Sequence, residues 1–218
     1  AATEHAALTL QSYGQHNIGI RLQRDEGLHL QIKGPCGQRL GSMGMPGTTI
    51  TCKGSVSDDV GYLNIGAEIT VLGDATNGVC NAMAAGKVFI GGSIGARGLT
   101  MTKWNPDYEK PELWVLGSTG DSFAEFNCGG IAVICGVDPK NPENVLGYRP
   151  CVGMVGGTPL LDLPYETIDL DMANGAFVRE LCDSRTFCRK ADIDMMRAAG
   201  KIVGGDVTSA VVVDGDAI

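Results

Sequence analysis

Gly47-TTITCK-Gly54 and, nineteen residues on, Gly66-AEITVL-Gly73 carry one pattern: a glycine, six residues in which alternate places are apolar, and a closing glycine. Upstream the pattern reads Gly27-LHLQIK-Gly34. Downstream it reads Gly86-KVFIG-Gly92, KPELWVL-Gly117 and Gly130-IAVIC-Gly136. The closing glycines Gly34, Gly54, Gly73, Gly92, Gly117 and Gly136 stand 20, 19, 19, 25 and 19 residues apart, and a further unit is expected from Gly157 with TPLLDL. A fixed period of this length marks a fold built of stacked coils.

Alignment on the closing glycine places Leu30, Ile50, Ile69, Val88, Leu113 and Ala132 four positions before it. Two positions before it come Ile32, Cys52, Val71, Ile90, Val115 and Ile134. Within a strand the side-chain period is 2, so both columns share one face, and parallel stacking about 4.8 Å apart merges them into one core. The glycines then suit the tight exits from each strand, where positive φ and close neighbours exclude a Cβ. Hairpins of a sandwich or barrel would show spacings of about 8 to 12 residues and no matching columns. A left-handed hexapeptide helix needs an apolar residue at every sixth position, which SVSDDVGYLN lacks. The pattern predicts an all-β, right-handed, single-stranded parallel β-helix of about seven coils with a short mixed C-terminal cap. Residues 1–26 read as a lead-in segment, 27–164 as the β-helix, and 165–218 as the cap or a partner-binding tail. Within that tail RKADIDMMRAAG suggests a helix and SAVVVDGD a late strand.

The outward column three before each glycine reads Gln31, Thr51, Thr70, Phe89, Trp114 and Val133, turning from polar to large and apolar. A bare face would not carry the last three, so cover is expected from residues 165–218 or from another subunit. Two proline-rich excursions interrupt the later coils, Trp104-NPDYEKPELW-Trp114 (numbered by its flanking tryptophans) and Asp138 to Pro150. Aromatic side chains on stiff loops bury much area at small entropic cost, which makes Trp104, Tyr108 and Trp114 the candidate partner contacts.

Bulk properties narrow the function classes. The chain has 218 residues, 44% hydrophobic, with 32 glycines and a net charge of −8. An acidic surface does not displace counterions from nucleic acid or an anionic membrane, so neither is an expected partner. The absence of a long apolar run or a signal-like start predicts a cytoplasmic protein. The eight cysteines form no framework and no C-x-x-C pair, and read as reduced and structural. All three histidines lie before residue 30, at 5, 16 and 29, so no triad or metal motif can be composed from spacing. Asp58, Asp59, Asp121 and Glu125 lie in turns without stacking as acid pairs. Gly91-GSIGARG lacks the order of a phosphate loop. No catalytic, cofactor-binding or metal-binding residue is expected.

The run Gly34-PCGQRLGSMGMPGTTITCKGSVSDDVGYLNIGAEITVLGDATNGVCNAMAAGKVFIGG resembles, in coil length and glycine order, the G-x-G-x-G β-helix domain that ends the large subunit of glutamate synthase. The likeness covers about Gly27 to Thr158. It implies a non-catalytic scaffold subunit packed between an amidotransferase and a synthase component, with FMN and an iron–sulfur cluster in the partner and no cofactor in this chain. Relatives of the domain imply an alternative, a subunit of a methylamine–glutamate N-methyltransferase or formylmethanofuran dehydrogenase complex. The stretch Gly120 to Gly129, GDSFAEFNCG, departs from the family by carrying Ser122 and Phe126 where it has arginines.

Overall fold

Eight strands, each paired in parallel with the next, form the body of the chain in the computed structural model. It describes residues 6–23, 27–141, 144–153, 156–161, 186–188 and 210–212, the last three stretches as strand backbone. The strands are β1 (Ala6–Gln11), β2 (Leu28–Lys33), β3 (Thr48–Cys52), β4 (Ile65–Val71), β5 (Ala85–Ile90), β6 (Glu112–Val115), β7 (Cys128–Ile134) and β8 (Gly156–Leu161). Two more, β9 (Thr186–Cys188) and β10 (Ala210–Val212), complete one ten-stranded sheet in the order β1 to β8, then β10, then β9. Consecutive parallel neighbours at this coil length make a parallel β-helix, the all-β architecture read from the repeat. No helix occurs among the described residues.

The expected columns are the observed register. Leu30, Ile50, Ile69, Val88, Leu113 and Ala132 are paired in succession, as are Ile32, Cys52, Val71, Ile90, Val115 and Ile134. All twelve are buried and belong to one hydrophobic cluster. Strand β1 adds a coil that the glycine pattern does not mark. Its Leu8 and Leu10 pair with Leu30 and Ile32, but Ser12 stands where the other coils close on glycine. Ser12 is buried, its N–H donates to the Lys33 carbonyl at 2.8 Å, and its hydroxyl donates to the Pro35 carbonyl at 2.6 Å.

Close approach, more than positive φ, explains the closing glycines. Only Gly34 and Gly136 of the six have a left-handed φ. A Cβ at Gly54 would lie 2.6 Å from the Gly34 carbonyl carbon and 2.7 Å from the Pro35 nitrogen, both backbone atoms of the coil before. Nearly all the left-handed non-glycine residues lie instead in the turn segments between strands, at alternate positions in every coil. Arg39, Gly41 and Met43 form one set, Asp59, Gly61 and Leu63 the next, and Arg97, Leu99 and Met101 a later one. Their amides point alternately to the two neighbouring coils. Arg39 and Met43 donate forward to Asp58 and Tyr62 at 2.8 and 2.7 Å, while Gly41 donates back to Ile18 at 2.9 Å. A single non-glycine residue in this region costs about 1–2 kcal/mol, and the inter-coil hydrogen bonds oppose that cost at each position.

The late outer column is covered by the chain itself. Phe89 is 2% exposed and Trp114 8%, with Val133 buried beside them. The Phe89 and Trp114 rings stack at 6.5 Å, and the Trp114 indole N–H donates to Glu112 Oε2 at 2.9 Å. At the C-terminal end β10 runs antiparallel to both β8 and β9, so the edge of the last coil is paired rather than open. The strand suggested by SAVVVDGD is β10, whereas the helix suggested for RKADIDMMRAAG lies outside the described residues.

Candidate functional site

One register row crosses the outer face of the sheet five positions before the closing glycines: His29, Thr49, Glu68, Lys87 and Glu112. Parallel pairing sets these side chains about 4.8 Å apart. The first four line a shallow groove made of two adjoining hollows of about 510 and 220 Å³ that share Gly66 and Glu68. The glycines Gly47, Gly66 and Gly86 leave its floor bare, since a Cβ at Gly66 would meet the Pro46 ring at 2.6 Å. Gly66 sits in a bulge that Asn64 braces, its side-chain oxygen accepting the Ala67 N–H at 2.9 Å and its amide donating to the Ala67 carbonyl at 2.9 Å.

The first proline-rich excursion walls the groove. Lys87 Nζ lies 2.9 Å from Glu112 and 3.8 Å from Glu109, which ties the loop down onto β5. The Trp104 indole donates to the Tyr108 carbonyl at 2.9 Å, and the Lys110 ammonium lies 5.4 Å from the Trp104 ring centroid. Trp104 and Tyr108 are 36% and 46% exposed, whereas Trp114 is closed inside the chain. Of the three candidate contacts, Trp104 and Tyr108 therefore face solvent together. The hydrogen bond to Glu112 holds the Lys87 ammonium above the ordinary lysine range, against the opposing effect of partial burial. Lys87 stays charged at neutral pH and so lacks the free pair a general base needs.

The turn acids serve the backbone. Asp58 Oδ1 accepts the Thr76 hydroxyl at 2.5 Å and the Asn77 amide at 3.0 Å. Asp74 accepts the Ser93 amide at 2.8 Å, Asn77 the Ala96 amide at 2.9 Å, and Asp121 the Tyr148 amide at 2.8 Å. Each side chain thus caps a donor one coil further on. The Thr76 hydroxyl, then the Asn77 amide, hold the Asp58 carboxyl below the usual carboxylate range. At Asp74 partial burial pushes upward, but the Ser93 amide and Lys140 outweigh it and the carboxyl is again lowered. A carboxylate lowered on folding stabilises above its unfolded value of about 3.9, and that contribution is lost as pH falls through the folded value. Melting temperature is therefore expected to fall as the buffer drops below about pH 4, and less steeply in an Asp58→Asn, Asp74→Asn variant. Parallel melting curves from pH 7 to pH 3 check this.

No group of three or more His, Cys, Asp or Glu positioned for a metal ion occurs among the described residues. No helix among them is long and apolar enough to cross a membrane. Residues 159–218 match the UDP-3-O-acyl N-acetylglycosamine deacetylase (LpxC) family. A UDP-3-O-acyl-N-acetylglucosamine deacetylase of Phenylobacterium zucineum (strain HLK1) is 45% identical over 53 residues, 24% of this chain and 18% of the relative. The chain thus covers under a fifth of that relative's length. The matched segment begins within β8 and includes β9 and β10, so it shares the sheet of the β-helix.

These matches overturn the glutamate synthase expectation, and with it the scaffold role between amidotransferase and synthase components and the two alternative complexes. The physical reason is that glycine spacing and apolar columns are imposed by coil length and close stacking. They specify an architecture, which unrelated chains can share, and not a family. The partner-borne FMN and iron–sulfur cluster rested on that resemblance alone. Residues 159–218 hold the likeness to a known enzyme family; most of them, 165–218, are those expected to form a cap or a partner-binding tail.

Proposed function

We propose that this protein handles an acylated UDP-amino sugar, with residues 159–218 supplying a deacetylase-like segment and the β-helix serving as its rigid body. The match of that segment to the deacetylase family carries the reading. It is supported by the continuity of β8, β10 and β9, through which the segment is anchored to the stacked coils. At the groove Lys87 is held as a charged ion pair with Glu112. A cytoplasmic location, needing no cofactor in the β-helix, belongs to the same proposal.

Calorimetric titration of the full chain with UDP-3-O-acyl-N-acetylglucosamine tests it. Saturable heat is expected, and a Lys87→Met chain should keep it, because the binding segment is the C-terminal one. A flat titration contradicts the proposal. Heat lost in Lys87→Met, with the melting curve unchanged, would move the site to the groove instead.

A further inference from the structure

Two thiols that no spacing rule pairs meet inside the early coils. Cys36 Sγ and Cys52 Sγ lie 3.5 Å apart, and the residues are 5% and 0% exposed. Both are free thiols. Cys36 pairs with Val56 in an isolated parallel bridge just after β2, while Cys52 ends β3, so the contact spans adjacent coils at one corner. Carbonyl oxygens of Gly34 and Gly54 lie 3.5 and 3.6 Å from Cys52 Sγ. The shared hydrogen bond holds the Cys52 thiol below the ordinary thiol range and pushes Cys36 above it, because one sulfur donates while the other carries the charge. One member is thus suited to attack as thiolate, and the other to wait as thiol.

The coil beside them is the outermost of the described sheet. Leu8 and Leu10 of β1 are 52% and 42% exposed, and the outer edge of β1 is unpaired among the described residues. Edge elements with few buried contacts open at low free energy, which admits an oxidant little larger than water.

We propose that Cys36 and Cys52 form a dithiol site which a hydroperoxide converts to an intramolecular disulfide, fastening the second coil to the third. The Cys52 thiolate attacks a peroxide oxygen, the O–O bond breaks, and Cys52 becomes a sulfenic acid as hydroxide departs. Cys36 sulfur then attacks Cys52 sulfur and expels the hydroxyl, which leaves as water with the Cys36 proton. Two thiols and hydrogen peroxide give one disulfide and two waters, both sulfurs being oxidised and both peroxide oxygens reduced. The sulfurs close from 3.5 Å to about 2.05 Å.

The test treats the folded full chain with hydrogen peroxide, alkylates the remaining thiols, and maps peptides by mass spectrometry without reduction. The expected product links the Cys36 and Cys52 peptides, two hydrogens lighter than the free pair. Its melting temperature should rise by roughly 5 °C or more, as expected when a short loop is closed in the unfolded chain. Dithiothreitol should reverse both changes. In Cys36→Ser the link and the rise should vanish, leaving a sulfenic acid at Cys52 that dimedone traps. Recovery of Cys36 and Cys52 both alkylated while exposed Cys128 is oxidised overturns the proposal, as does a disulfide joining any other pair.

Discussion

Gly54→Ala is expected to cost about 3 kcal/mol, and Gly14→Ala about 1 kcal/mol, although only the second residue has a left-handed φ. At Gly54 the new methyl faces the Gly34 carbonyl carbon and oxygen and the Pro35 nitrogen, 2.6–2.7 Å away. Those atoms are backbone of the neighbouring coil and cannot rotate aside, so coil spacing itself must yield. At Gly14, with φ of 99°, nothing lies within 4 Å of the added Cβ. Its cost is therefore conformational alone. Urea unfolding of the two variants beside the parent measures both. Equal losses, or a larger loss at Gly14, would mean that backbone conformation and not close stacking selects the closing glycines.

Trp114→Ala should remove about 3–4 kcal/mol, the range for deleting a large buried aromatic. It takes away the stacking partner of Phe89 and leaves Glu112 without its indole donor, in a column the chain buries. Trp104→Ala should cost about 1 kcal/mol or less, since its ring is part of the exposed loop and touches Lys110 through a solvent-facing cation–π contact. Thermal and urea unfolding of both variants decide the order. A larger loss for Trp104→Ala would show that the loop, rather than the outer sheet face, stabilises the later coils.

The two tryptophans look alike in the sequence because both flank one proline-rich excursion. Only the register, with Trp114 opposite Phe89 and Val133, separates a sheet residue from a loop residue. That register was legible: the inner columns and the outer column were placed correctly by counting back from each closing glycine. The method fails where its marker is missing, as at β1, whose coil closes on Ser12. It also fails in the turn segment. There Arg39, Asp59 and Arg97 adopt left-handed conformations without glycine to announce them, since inter-coil hydrogen bonds impose the conformation.

The groove was within reach of the same counting. Glu68, Lys87 and Glu112 stand at one offset with alternating charge, a row that reads as cross-strand ion pairing once the strands are known to be parallel. Cys36 and Cys52 were not, because their contact depends on a corner between coils and not on strand register. The likeness of residues 159–218 to a known family was the least legible. Packing physics dictates the repeat so strongly that it leaves little room for a family signature, while residues 159–218, most of them beyond the last parallel coil, match a family.

Hydrogen–deuterium exchange of the full chain, with and without UDP-3-O-acyl-N-acetylglucosamine, tests the division of labour most directly. Slowed exchange concentrated in peptides from 159–218, with those from β2 to β6 unchanged, is the predicted result. Protection confined to the β2–β6 peptides, or none anywhere at saturating ligand, would contradict it.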